Sequence, residues 1–590
     1  MIKTAQHIIG AAAILALAAC KIPVGSDDGE GEATQASVEV EDPATQTPDP
    51  TPAPAPAPST PPMPLPPPDD QDAVKFFSQA SFGGSEDDIA TLQTIGIENW
   101  ILDQIDQPMY STVDRIEEHR AVQAANANAY ARLFWERALN ADDQLRQRVA
   151  YALSQIVVAS LSDSVIRANA RSYAVYLDML QEQALGNYCT LIKDVSINPM
   201  MGVYLTHLGN RKADETAGFV PDENYAREVM QLFTIGLENL NSDGTGQGTE
   251  TYTIEDVQGL AAVFTGLSWS DTNFFFPSIN DDNRFLPMEG FSAQHEEDPK
   301  SFLGTTIDLG TDAVTSVNAA LDYLLAHPNV APFISKQLIQ KLVTSNPTPG
   351  YVSRVAAAFE AGIYGMPGGD QVGTGNRCDM AATVAAILLD DEARGAPLDD
   401  NFGKLRNPVL RVAQYLRAFR VDRDQLLTGV LPSAFTLDSL EDFNRLGINA
   451  YNSPSVFNDF RPGYVAPGTE SADAGLVAPE FQIATSNSIV VYINTMESFI
   501  DGVPTDGVNQ NAASVDFTDI DADANDPAVL VDRLSRILTG STLSDANRTA
   551  IIDAVSLIDI AGSDQDNDRK DRREVALMML VTSPEYMVQR

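Results

Sequence analysis

Histidine, cysteine and positive charge are what this sequence has least of. Its 590 residues include five histidines and three cysteines, and 38 Lys and Arg face 82 Asp and Glu, for a formal net charge of −44. Proteins that bind nucleic acid collect phosphates with clustered Lys and Arg, so this balance excludes a nucleic-acid partner. It also opposes adhesion to anionic lipid headgroups. Beyond Cys20 there are only Cys189 and Cys378, too few for a multi-cysteine metal site. In an oxidising compartment those two can pair, but their spacing in sequence does not decide whether they meet. Several common chemistries are missing: there is no G-x-S-x-G elbow, no phosphate-binding G-x-x-x-x-G-K-[ST] loop, no H-E-x-x-H and no C-x-x-C. The glycines of DGTGQGT (243–249) have no strand before them, which a dinucleotide loop requires. The alternations Asp519/Asp521/Asp523 and Asp564/Asp566/Asp568 lack the sixth-position glycine and twelfth-position glutamate of a calcium loop, and read as solvated acidic loops.

Long apolar runs are scarce too, with one exception at the start. Lys3 precedes IIGAAAILALA (8–18), which ends in LAAC. That is the pattern of a secretory signal, and its closing cysteine resembles a bacterial lipobox, with cleavage after residue 19 and acylation of Cys20. Lys21 in place of an aspartate is what outer-membrane lipoproteins carry there. The expected attachment to a membrane is therefore a lipid on Cys20. Nowhere else does the sequence approach the ~18 apolar residues needed to span a bilayer. Residues 20–70 then form a tether: positions 21–70 hold 14 of the 35 prolines and ten carboxylates against the single Lys21. Such a stretch buries no core and stays extended, at about 3.1 Å per residue, so its reach is roughly 150 Å.

Residues 71–590 are expected to be mainly α, a multi-helix domain of two or three packed subdomains with long loops and few short strands. In DQLRQRVAYALSQIVVAS (143–160), Leu145, Val149, Leu153, Ile156 and Val157 recur at spacings of three and four. NVAPFISKQLIQKLVTSNPTPGYVSRVAAAFEAG reads as two helices broken at SNPTPG. DMAATVAAILLDDEARG and DRREVALMMLVTSPEYMVQ read as two more. NSIVVYI (487–493) is the best strand candidate, though it also suits the start of a helix. Segments 420–447, 505–527 and 563–571 read as surface insertions.

The chemically richest stretch is PDENYAREVMQLFTIGLENLNSDG (221–244). A helix starting near Pro221 would place Asp222 and Glu223 at its positive end. Glu223 and Arg227 would share a face, as would Asn224 and Glu228. Met230, Phe233, Ile235 and Leu237 would enter the core. The structural interpretation is a buried clamp in which Arg227 bridges two carboxylates and ties the helix to the 198–210 segment. The chemical interpretation is a site in which Glu223, Arg227, Glu228 and His295 act as catalytic groups while His207, Asn224 and Lys300 bind. Carboxylate and imidazole together would suit a divalent zinc, manganese or iron ion, or a general acid/base pair. Of the other histidines, His119 belongs to a charged helix and His327, in AHPNVAPF, suits a helix cap.

FFSQASFGGSEDDIATLQTIGIENWILDQI, DQLRQRVAYALSQIVV, NPMMGVYLTHLGN, PDENYAREVMQLFTIGL, FTGLSW, HPNVAPFISKQLIQKLVTSNPTPGYVSRVAAAF and NSPSVFNDFRPGY occur in this order. Together they resemble the bacterial family catalogued as domain of unknown function 1800, from about residue 72 to the end. The resemblance implies an exported protein without an established reaction, often found beside a second uncharacterised family of alkaline-phosphatase-like fold. The chain departs from the family pattern at HEEDPKSFLG (295–304), where Glu296 replaces an aspartate, and at GGDQVGTGNRCDM, which introduces Cys378. The expectation is a lipid-anchored envelope protein that binds or assembles with another exported protein. The rival is an extracytoplasmic metal-dependent hydrolase or oxidoreductase built on the Glu/His group.

Overall fold

The computed structural model describes residues 63–120, 127–276, 279–280, 283–397, 401–419, 446–501, 517–561 and 563–590. The signal stretch, Cys20, nearly all of the tether and most of the 420–447 insertion lie outside them. From Pro64 onward the described residues form one compact unit. It is mainly α-helical, and its strands occur as short antiparallel pairs such as Glu238–Leu240 with Gly246–Glu250 and Lys300–Phe302 with Thr305–Ile307. No helix among the described residues is long and apolar enough to cross a membrane.

Two apolar clusters make up the interior. The larger gathers helices from Asp70–Ala80 through Met380–Leu389. The smaller is built from Pro408–Phe419, Ser486–Asp501, Pro527–Thr539 and Gln565–Val581, and it borrows Phe134, Trp135 and Tyr151 from the N-terminal half. That borrowing joins the halves, so they form no independent domains.

Local chemistry explains the helix boundaries. The apolar stripe of Gln144–Ser154 is buried as its spacing requires, and the chain leaves the helix at Gln155 while Ile156 and Val157 continue into the core. SNPTPG ends Val330–Leu342, and Pro349 opens Pro349–Ala361 at the first turn, where Thr348 caps it and the missing N–H costs nothing. Met380–Leu389 is buried along its whole length and stops at Asp390, which caps the short Asp391–Arg394.

Three local expectations are corrected. NSIVVYI lies inside the helix Ser486–Asp501, with Ser488, Tyr492, Met496 and Ile500 facing the core every fourth residue; its β-branched content gave way to that helical stripe. The 563–571 stretch is no loop from Gln565 onward, because the helix Gln565–Val581 begins there. Within 505–527, Thr518–Asp523 is helical and Asp526 caps Pro527–Thr539, while residues 505–516 lie outside the described residues.

Cys189 and Cys378 are joined as a disulfide, Cα to Cα 5.7 Å apart across 189 positions of sequence. Around it, Tyr188 N donates to Cys378 O, Met380 N donates to Gly186 O, and Cys378 N donates to Phe359 O, at 2.8–2.9 Å. The bond ties the start of the Tyr188–Ser196 helix to the end of the loop leading into Met380–Leu389.

Candidate functional site

The charged helix spans Asn224–Gln231, three residues later than expected, with Glu223 at its N-cap. Asp222 serves from outside: its Oδ1 accepts Asn224 N–H at 2.9 Å. Gly236, at φ +71°, turns the chain after Ile235, and Leu237 is exposed instead of entering the core. Arg227 reaches Glu223 at 2.9 Å with both side chains partly exposed, and forms no bridge to Glu228. Such a pair contributes at most about 1 kcal/mol. The tie to the 198–210 segment is made differently. Asn210 exchanges hydrogen bonds with the Asp222 backbone at 2.9 and 3.2 Å, and the His207 ring stacks on Tyr225 with centroids 3.9 Å apart.

The other expected residues are each engaged locally. His207 is sealed in the core, its Nε2 3.0 Å from Ser196 O; burial lowers its pKa to about 4, so it is neutral at pH 7. His295 is buried against Thr265 O (2.8 Å) and Ser316 Oγ (3.2 Å), and burial lowers its pKa as well. Gly266 lets that strand end approach: at φ +77°, a Cβ there would fall 2.8 Å from the His295 backbone. Lys300 is buried and donates to the carbonyls of Glu296 (2.9 Å) and Asp298 (3.5 Å), holding the 296–298 turn. Asn224 is exposed. Glu228 is buried with Oε2 unpartnered, and burial raises its pKa, opposed by the Arg227 charge. Among the described residues no three His, Cys, Asp or Glu side chains come together in a way that could hold a metal ion. His327 Nδ1 accepts from Asn329 N–H at 3.1 Å, at the entrance to Val330–Leu342.

Four separate sequence motifs converge elsewhere. The helix Val330–Leu342 ends inside the protein, where its last carbonyls need donors. Lys404 Nζ supplies Gln340 O (2.6 Å) and Lys341 O (3.0 Å). Arg148 donates to Lys341 O at 2.8 Å, and Gln589 Nε2 donates to Leu342 O and Val343 O at 2.8 Å. Two of these donors carry the positive charge that the helix dipole favours at a C-terminus. Glu480, in the turn Pro479–Gln482, pairs with Lys404 at 2.9 Å, both side chains almost fully buried.

That accounts for Arg148, Lys404 and Glu480. It leaves Lys341, which is 6% exposed, sits 4.4 Å from the Phe460 ring centre and has no hydrogen bond to its amine among the described residues. Burial lowers its pKa to about 7, helped by the Lys404 charge and opposed by Glu480 and Asp459. Asp459, half-buried in NSPSVFNDF, lies near it; burial raises its pKa to about 7, opposed by the Ser453 hydroxyl at 3.2 Å and by the Lys341 charge. The backbone around Asp459 is held unusually, with Tyr451 at φ +64° and Asn458 at φ +63°, a conformation that non-glycine residues adopt at some strain. Asp459 also presses on the hydroxyls of Tyr151 and Tyr204, adding to the burial that raises both. An amine and a carboxyl both titrating near neutrality can exchange a proton with a bound molecule. Nothing in the spacing of residues 341 and 459 announces this pairing.

The fold and these groups define a mainly α-helical protein in which buried charges serve a helix end and a buried amine lies near a half-buried carboxyl from a distant motif. Residues 75–588 match the family model described as Protein of unknown function (DUF1800), and the chain belongs to that family. No curated protein and no solved structure matches it.

Proposed function

We propose that this is a lipid-anchored envelope protein whose helical domain docks onto another exported protein. The observation that carries the reading is a pair of exposed aromatics, Phe274 and Phe276, at 73% and 66% exposure. They belong to the loop after Leu267–Ser268; Gly209 N of the 206–223 loop donates to Leu267 O at 2.8 Å, and the Phe276 ring lies against Gly209. Val220 is 74% exposed on the second loop. Apolar side chains left in water on neighbouring loops, aromatic ones above all, are characteristic of docking surfaces. Export is supported by the Cys189–Cys378 disulfide, since such bonds persist in oxidising compartments. The lipobox-like LAAC and the proline-rich tether supply the anchor and the reach.

The test is mild crosslinking in intact cells followed by purification through the C-terminal half. Wild type should retain one exported partner, and the F274S/F276S chain should lose it while still folding. Recovery of both chains alone, or equal recovery of the partner by both, would defeat the reading. Labelling with radioactive palmitate should mark wild type and spare Cys20→Ala.

A second reading, that of an extracytoplasmic enzyme, is favoured by one observation: the buried Lys341 amine lacks a hydrogen bond among the described residues and lies near Asp459. On this reading the proton-transfer groups are Lys341 and Asp459, because Glu223, His207 and His295 are held by separate local contacts and Glu228 is buried apart from them. Any turnover should disappear in Lys341→Met and survive Glu223→Gln; the reverse pattern would return the chemistry to the Glu/His group.

A further inference from the structure

A cleft of about 580 Å³ lies between the first described helix, Asp70–Ala80, and the C-terminal segment, with Arg394 and Arg406 on its wall. That size suits a small organic molecule. The wall is unusual for so acidic a chain. Arg406 is 4% exposed and stacks on Tyr586 (4.5 Å to the ring centre), yet its guanidinium has neither a carboxylate partner nor a hydrogen bond among the described residues. Arg394 stacks on Phe76 at 5.2 Å, and its Nε and one terminal nitrogen have no acceptor. Lys75 donates one hydrogen bond, to Gly395 O at 2.8 Å, leaving two N–H groups.

A buried guanidinium without a counter-ion is costly. With 82 carboxylates available, the fold places none within ion-pair distance of these three cations among the described residues. Of the two acidic side chains on the wall, Glu585 is occupied by Ser544 N (3.0 Å) and Asn547 Nδ2 (2.9 Å). Asp72 approaches Lys75 and Arg394 without forming an ion pair with either. Each guanidinium lies over one ring, Arg394 over Phe76 and Arg406 over Tyr586, and keeps buried nitrogens without an acceptor among the described residues; a carboxylate or phosphate is the group whose oxygens guanidinium N–H donors take.

We infer that this cleft binds a small organic anion, a carboxylate or a phosphate ester, through Lys75, Arg394 and Arg406. The site is remote in sequence from Phe274 and Phe276 and does not depend on the docking reading. An anion seated here would replace the missing counter-charge and join the N-terminal helix to the C-terminal strand.

The test is calorimetric titration of the purified full-length chain in detergent with two probes, citrate and inorganic phosphate. One saturable site for at least one probe is expected, with affinity at least tenfold weaker in Lys75→Gln and in Arg406→Gln, each checked for native helicity by circular dichroism. Citrate alone binding assigns carboxylates, and phosphate alone assigns phosphate esters; either supports the site. Absence of saturable heat from both probes overturns it, as does binding left unchanged by Lys75→Gln. Should Arg406→Gln fail to fold, the half-buried Lys75 variant decides the matter. Loss of the crosslinked partner in F274S/F276S would leave these titrations untouched, so the two proposals fail separately.

Discussion

Removing Lys404 tests most directly whether buried charge in this protein is structural. Its ammonium meets Glu480 at 2.9 Å and caps two carbonyls at the end of Val330–Leu342. At an effective dielectric of 20, two unit charges at that distance attract by about 6 kcal/mol. Desolvation opposes this, and it wins at Lys404: burial, ahead of the attraction of Glu480, leaves the amine below its ordinary pKa. The pair as a whole therefore adds little over an apolar replacement, but either half alone is a liability. Lys404→Met leaves a buried carboxylate without a cation and Gln340 O without its donor, while Arg148 still serves Lys341 O, and should cost ~3–5 kcal/mol. Glu480→Gln leaves the ammonium its two carbonyl acceptors, and should cost only about 1–2 kcal/mol. K404M/E480Q should recover much of the K404M loss, with a coupling of at least ~2 kcal/mol. Urea unfolding at pH 7.5, followed by tryptophan fluorescence and far-ultraviolet circular dichroism, measures all four chains. A K404M cost below about 1 kcal/mol, or strict additivity in the double mutant, would refute the reasoning.

Replacing both Cys189 and Cys378 by Ser releases a loop of 189 positions, for which chain entropy gives about 5 kcal/mol as the ceiling; a melting temperature unmoved by the change or by reductant would contradict it. His207, with its pKa lowered from 6.5 to about 4, stabilises the fold above pH 6.5 and loses that contribution as pH falls toward 4. The loss is on the order of 3 kcal/mol, and acid titrations of wild type and His207→Phe should diverge in that window. Lys341 and Asp459 have opposite slopes: Asp459 lowers stability as pH rises from about 4 to 7, and Lys341 raises it from 7 toward 10.5. Subtracting the K341M/D459N stability curve from that of wild type should therefore show a minimum near pH 7; a flat difference would count against the pair. Glu228→Gln should be neutral or stabilising at pH 7, because the carboxylate is buried without an ion pair.

The motif at 221–244 shows how far residue order reaches. Its helix, the capping role of Asp222, the Glu223–Arg227 pair and the turn at Gly236 follow from local spacing. The fate of Glu228 does not, since a carboxylate next to an arginine in sequence points about 100° away from it around a helix. Likewise His207 and His295 looked available because they are two of only five histidines; their partners, Ser196 O and Thr265 O, are backbone atoms that no side-chain pattern announces. Lys341 lies within a stretch whose spacing shows only a helical period, and Asp459 within a loop motif.

The sequence alone determined the helical class, the helix break at SNPTPG, the acidic balance and the family. All of these rest on interactions within a few residues or on composition, which the chain carries wherever it folds. Only the tertiary structure decided that Cys189 meets Cys378, that Lys341 lies near Asp459, and that Lys75, Arg394 and Arg406 line one cleft. Those contacts join residues a hundred to several hundred positions apart. Their partners are chosen by which apolar faces pack together, and many arrangements of the same helices satisfy the same local rules.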